Sequence, residues 1–199
     1  MPRLKSTSVN LPYERTLSLS VSGRRILFGI LGALIFAGLT FVGANIRIPL
    51  QPVPVTLQTL FVVLSGAVLG GRFGLTGQAL YVGCGAVGLP IFAGSAAGVV
   101  VLAGPTGGYL IGFLVAPVIV GWAIRRRNAL SWHLMVFFLG SLVILALGVL
   151  HLTVFYTHDL MQSLKVGYLP FIPGDLLKIL AATSIYRSYR GLRKTIGYR

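Results

Sequence analysis

The sequence has 199 residues, of which 55% are hydrophobic and 10% charged, and its 17 Lys and Arg against 3 Asp and Glu give a net charge of +14. A soluble domain carries about a quarter charged residues, so this composition, with a mean hydropathy of +0.87, excludes an ordinary water-soluble fold. The basic residues flank apolar runs instead of forming one face, which argues against a nucleic-acid partner and for contact with a lipid bilayer.

Residues 1–24 are polar and basic and read as a cytoplasmic amino-terminal extension. Ile26 to Ala44 is free of charge and longer than a signal-peptide core, with no small-residue cleavage site after it, so a retained first helix is expected. Ala33 and Ala37 on that helix give the spacing Ala-x-x-x-Ala, a smooth strip on which another helix can dock. From Asn45 to Leu57 the prolines Pro49, Pro52 and Pro54 favour extended backbone, expected on the outer side. Further apolar runs follow at Leu57–Gly71, Phe73–Gly88, Pro105–Ile124, Trp132–Thr157 and Ile172–Tyr186, some of them short for a full crossing.

The fold class expected is therefore an all-α integral membrane protein, with six transmembrane helices in one compact bundle over residues 25–187 and a basic tail over 188–199. Gly66, Gly70 and Gly74, and again Gly104, Gly108 and Gly112, recur every four residues and let helix backbones approach closely. Leu89 to Gly104 is too rich in Gly to span and too apolar for a wet loop; a packed external loop and a lid over a pocket both fit.

Loop charge orients the bundle. With six spans, Arg3, Lys5, Arg15, Arg24, Arg25, Arg72, Arg125–Arg127, Arg187, Arg190, Arg193, Lys194 and Arg199 share one side, fourteen of the 17 bases. Cytoplasmic loops are the ones enriched in Lys and Arg, so both termini are expected in the cytoplasm. Arg47 and Lys165 fall on the other side, and Lys178 lies inside the last span.

Few motifs offer chemistry. Gly83, Gly85 and Gly88 fit a dinucleotide fingerprint, but no strand precedes them and no acid follows at the needed spacing. His133, His151 and His158 lack metal-ligand spacing and read as solvated or interfacial, and Cys84 is alone, so no metal site and no disulfide are expected. A Gly-Lys dipeptide is missing, hence no nucleotide-cradling loop and no cofactor are expected in this chain.

Asp175 and Lys178 stand apart. Counting back from Arg187 at about 1.5 Å per residue puts them ~18 and ~13 Å above the cytoplasmic interface, within a hydrocarbon layer ~30 Å thick. Charges at that depth cost several kcal/mol unless they face a cavity, each other or a ligand. The plainer reading is an i,i+3 pair at a helix start, worth only ~0.2–0.5 kcal/mol when exposed. A lysine in a first turn also meets the positive end of the helix dipole, which leaves a binding role as the stronger reading.

Four segments, Val-Pro-Val-Thr-Leu-Gln-Thr-Leu at 53–60, Gly-Leu-Pro-Ile-Phe-Ala-Gly at 88–94, Gly-Pro-Thr-Gly-Gly-Tyr-Leu-Ile-Gly-Phe at 104–113 and Pro-Gly-Asp-Leu-Leu-Lys at 173–178, occur in order. Together they make residues 25–187 resemble the BioY family, the biotin-specific S components of energy-coupling factor transporters. The resemblance implies a multi-pass plasma-membrane protein that captures biotin outside. It also implies release inward after docking to a transmembrane T subunit carrying two cytoplasmic ATPase subunits, with Ala33 and Ala37 matching the docking strip. Biotin presents a ureido ring with N–H donors and a carbonyl, a thioether ring and a valerate carboxylate. The expected substrate-binding residues are Asp175 and Lys178 for the ureido group, with Thr56, Gln58, Tyr81 and Tyr109 adding hydrogen bonds and an aromatic wall. The residue that meets the valerate is left open. Rival readings are an S component for another vitamin and a small integral-membrane enzyme acting on lipid; the second needs a nucleophile or acid/base pair that the chain barely provides.

Overall fold

The computed structural model describes residues 21–195. The elements in order are α1 (Val21–Asn45), β1 (Arg47–Ile48), β2 (Val55–Thr56), α2 (Gln58–Leu69), α3 (Gly71–Ala86), α4 (Val99–Ala103), α5 (Gly107–Ala123), α6 (Leu130–Leu152), α7 (Leu160–Gly167) and α8 (Ile172–Thr195). Two helical stretches, Gly23–Asn45 and Leu130–Thr157, are long and apolar enough to cross a membrane, while the apolar α2 and α5 are shorter. The second stretch is α6 continued by a π-turn at Thr153–Thr157, and it ends at His158, whose φ of 52° turns the chain into α7. Neither α7 nor the unbroken run of α8 through Arg187 to Thr195 is evident from the apolar pattern.

One end of the bundle collects the β-hairpin, the 87–98 loop, α4 and α7, where Arg47 lies against Gly94 and His151 and Tyr109 bond to Gly104 O and Gly167 O. At the arginine-rich end the turns after α2 and α5 meet, Gly70 against Arg125. Residues 45–57 form a two-stranded hairpin in which Arg47 pairs with Thr56 and Ile48 with Val55, with Pro49, Pro52 and Pro54 in the connection between the strands. Backbone approach sets the packing. A Cβ on Gly66 would lie 2.4 Å from the Pro117 carbonyl oxygen, and one on Gly112 2.7 Å from the Ile144 Cα, so α2 meets α5 and α5 meets α6 at near-contact distance. Gly70 and Gly104 leave the repeats expected of them: Gly70, at φ 88°, breaks α2 from α3, and Gly104 caps α4.

Ala33 and Ala37 are not on the outside. They are 1% and 9% exposed, and Gly77 of α3 sits against the Ala33 backbone, so Ala33 fastens α1 to α3 while Ala37 is buried in the core. The strip expected to receive a partner is thus spent on internal packing, because the apolar α1 gives no sequence signal of which face turns inward. The same interface is closed by a buried polar cluster in which Gln78 bonds Thr40 at 3.1 Å and Ser65 at 3.5 Å.

Candidate functional site

A chamber of about 230 Å³ opens beneath the hairpin end. Its walls are Val53, Pro54 and Thr56 of the hairpin, Gln58 and Thr59 of α2, Tyr109, Leu110 and Phe113 of α5, and Phe171 before α8. The 89–104 segment roofs it. Phe92, Ala93, Ala96 and Val101 face the chamber, held by a bridge between Phe92 and Ala96 and by the Gly98 N–H donating to Gly85 O at 2.8 Å. Both expectations for that segment thus merge: it is packed, and it covers a pocket.

The polar wall is built around the ion pair. Asp175 and Lys178 are 4% and 7% exposed and bonded to each other, the one ion pair among the described residues. Asp175 Oδ2 accepts from Ser141 of α6 at 2.7 Å, and Lys178 Nζ donates to Thr59 Oγ1 at 2.7 Å and to Thr56 O at 3.2 Å. An ammonium has three donors, of which Thr56 and Thr59 take two; Asp175 Oδ1 is in ion-pair contact with the ammonium but has no hydrogen-bond partner of its own among the described residues. The pair does not line the chamber directly; Thr56 and Thr59 stand between it and the open volume. Lys178 also lies in the second turn of α8, since the helix begins at Ile172, so the dipole argument from a first turn does not apply.

Gln58 faces the chamber with its amide anchored at both ends, Nε2 donating to Tyr81 Oη at 2.7 Å and Oε1 accepting from Thr56 at 2.9 Å. Tyr81 passes the chain on to Ile91 O at 3.0 Å and lies behind the wall, its ring edge-on to Phe92 at 5.7 Å. It positions the wall and the roof without lining the chamber. Tyr109 does line it, stacked on Phe171 at 5.7 Å, with its hydroxyl donating to Gly167 O at 2.7 Å.

One contributor was not singled out by sequence. Thr59 touches both Lys178 and the chamber, and the signal for it was its place in the matched 53–60 segment. Arg47, unplaced until now, lies at the rim: it pairs with Thr56 across the hairpin, and its guanidinium covers Gly94, next to Ala93 in the roof. Lys165 is exposed on α7, away from the chamber lining. His133, expected at an interface, is instead fully buried, edge-on to Tyr186 at 5.2 Å, while His151 Nε2 donates to Gly104 O at 3.0 Å.

A profile of the BioY family matches residues 17–195. The chain belongs to the BioY family. The biotin transporter BioY of Thermotoga maritima is 45% identical over 156 residues, covering 78% of this chain and 92% of that protein. The probable biotin transporter BioY of Pyrococcus horikoshii is 38% identical over 157 residues, covering 79% and 93%. A crystal structure of the S-component for biotin from an ECF-type ABC transporter superposes with a TM-score of 0.78 at 25% identity, covering 84% of this chain and 93% of that one. These relatives are transporters, which sets aside the reading as a lipid-acting enzyme.

Proposed function

We propose that this chain is a biotin-binding S component that takes up the vitamin across the plasma membrane, with six spans and both termini in the cytoplasm. The observation that carries the reading is the buried Asp175–Lys178 pair bonded straight into the polar wall of an otherwise apolar chamber. A site of this kind, apolar with a few fixed polar groups, suits a small bicyclic ligand. The ureido ring meets the Thr56, Gln58 and Thr59 wall. Its carbonyl takes one of the places that threonine oxygens hold on Lys178 Nζ, and its N–H groups are accepted by Asp175 and by Gln58 Oε1. Phe92, Tyr109, Phe113 and Phe171 enclose the thioether ring, and Arg47 at the rim meets the valerate carboxylate.

Release inward needs a partner, which the resemblance supplies as a T subunit with two ATPase subunits. Because Ala33 is packed against α3 and Ala37 is buried, docking through them requires α1 to shift, or the partner to use the outward face of α1 around Leu34 and Gly38. Equilibrium binding to purified protein tests the substrate. Biotin is expected to bind saturably and other vitamins not, and Asp175→Asn or Lys178→Ala to weaken biotin by about ten-fold or more, ~1.4 kcal/mol. Unchanged affinity in both variants removes the assignment of the pair.

A further inference from the structure

The arginine-rich end holds a cleft that biotin capture leaves unused. Asn128 of the α5–α6 turn and Arg187, Arg190 and Gly191 of α8 line a cavity of about 170 Å³. No carboxylate answers these charges: among the described residues the acids are Asp159, which caps α7 at the opposite end, and Asp175, which is committed to Lys178. Arg190 is held in place, over the Tyr186 ring at 5.9 Å and with Nη1 3.5 Å from Nε2 of the buried His133. A guanidinium fixed in this way has donors to spare for an anion.

The rim has the chemistry of a membrane headgroup layer. Arg126 stacks on Trp122 at 3.3 Å, Arg127 lies over Trp132 at 5.2 Å and Arg193 over Tyr189 at 5.6 Å. Trp122 is 66% exposed, as suits an amphipathic ring at the lipid–water boundary. Below the cleft, apolar side chains of α6 and α8 are exposed, Met135 and Phe138 on α6 and Leu176 and Leu180 on α8. Arg187 follows Leu176 by about three helical turns, ~16 Å along the same face of α8, so cleft and apolar strip lie on one seam.

We propose that this seam binds one anionic phospholipid, its phosphate clasped by Arg187 and Arg190 with Asn128 and an acyl chain lying along the exposed apolar strip of α6 and α8. The inference rests on the membrane embedding and not on biotin as the substrate. A free phosphate would satisfy the arginines but leave the apolar strip uncovered. Planar guanidinium forks also fit a phosphate's oxygens as an ammonium does not.

The test is native mass spectrometry of the full chain released from nanodiscs of phosphatidylcholine with one-fifth phosphatidylglycerol, a roughly physiological share of anionic lipid. Retention of a single phosphatidylglycerol, in preference to phosphatidylcholine, is expected. It should fall by about ten-fold in Arg187→Gln/Arg190→Gln, and clearly in the charge-preserving Arg187→Lys/Arg190→Lys, while Arg25→Gln/Arg72→Gln retains it. Unaltered thermal unfolding shows that the variants are folded, and the lysine pair preserves the charge that orients the helices. Equal retention in the Arg187/Arg190 and Arg25/Arg72 variants, or equal retention of both lipids, overturns the proposal. So does displacement of the lipid by millimolar inorganic phosphate, which assigns the arginines to a soluble anion.

Discussion

Removing Lys178 alone should unfold this protein more readily than removing Lys178 and Asp175 together. In Lys178→Met the ammonium leaves three partners at once, Asp175, Thr59 and Thr56, and strands a carboxylate that is 4% exposed with only the Ser141 hydroxyl beside it. Breaking a buried pair from one side costs about 3–5 kcal/mol, and for a chain of this length that corresponds to a fall in Tm of roughly 6–20 °C. Asp175→Asn/Lys178→Met carries no buried charge and keeps an acceptor for Ser141, so it should recover at least half of the loss. Thermal unfolding in one detergent, followed by tryptophan fluorescence for the parent, both single variants and the double, measures the coupling. Biotin binding should stay weak in all three variants, which separates the stabilising role of the pair from its binding role. A single-variant loss below ~1 kcal/mol, or a double variant no more stable than Lys178→Met, would show that the two charges are not energetically joined in the folded bundle.

Arg47→Gln should weaken biotin by only about two- to five-fold, because an exposed rim charge contributes ~0.5–1 kcal/mol, and should leave the affinity for biotin amide unchanged. Equal losses for acid and amide, measured by titration calorimetry, would remove Arg47 from the carboxylate end. Gly66→Ala should cost ~1–3 kcal/mol, since its Cβ would lie 2.4 Å from the Pro117 carbonyl oxygen and α2 must move off α5. Gly38→Ala, with nothing within 4 Å of the added carbon, should be neutral or stabilising in the same unfolding assay.

Sequence alone determined what depends on composition and one-dimensional spacing. Long charge-free runs, prolines between them, and bases gathered into alternate connections were enough for a helical membrane bundle with an extended segment at 45–57. The cost of burying charge in hydrocarbon was enough to single out Asp175 and Lys178, whatever their surroundings. Motif order then supplied the family. Only the tertiary structure decided which way each helix turns. On apolar helices such as α1, inward and outward positions carry the same kinds of residue, so Ala33 gave no sign that it packs on Gly77, nor Ala37 that it is buried. Long-range partners were equally hidden: Thr59 lies 119 residues from Lys178, Ser141 34 from Asp175, and Arg47 reaches Gly94 from another loop. Hydrophobicity sorts residues into a membrane without choosing their neighbours, whereas close packing and hydrogen-bond satisfaction fix those neighbours and form the chamber.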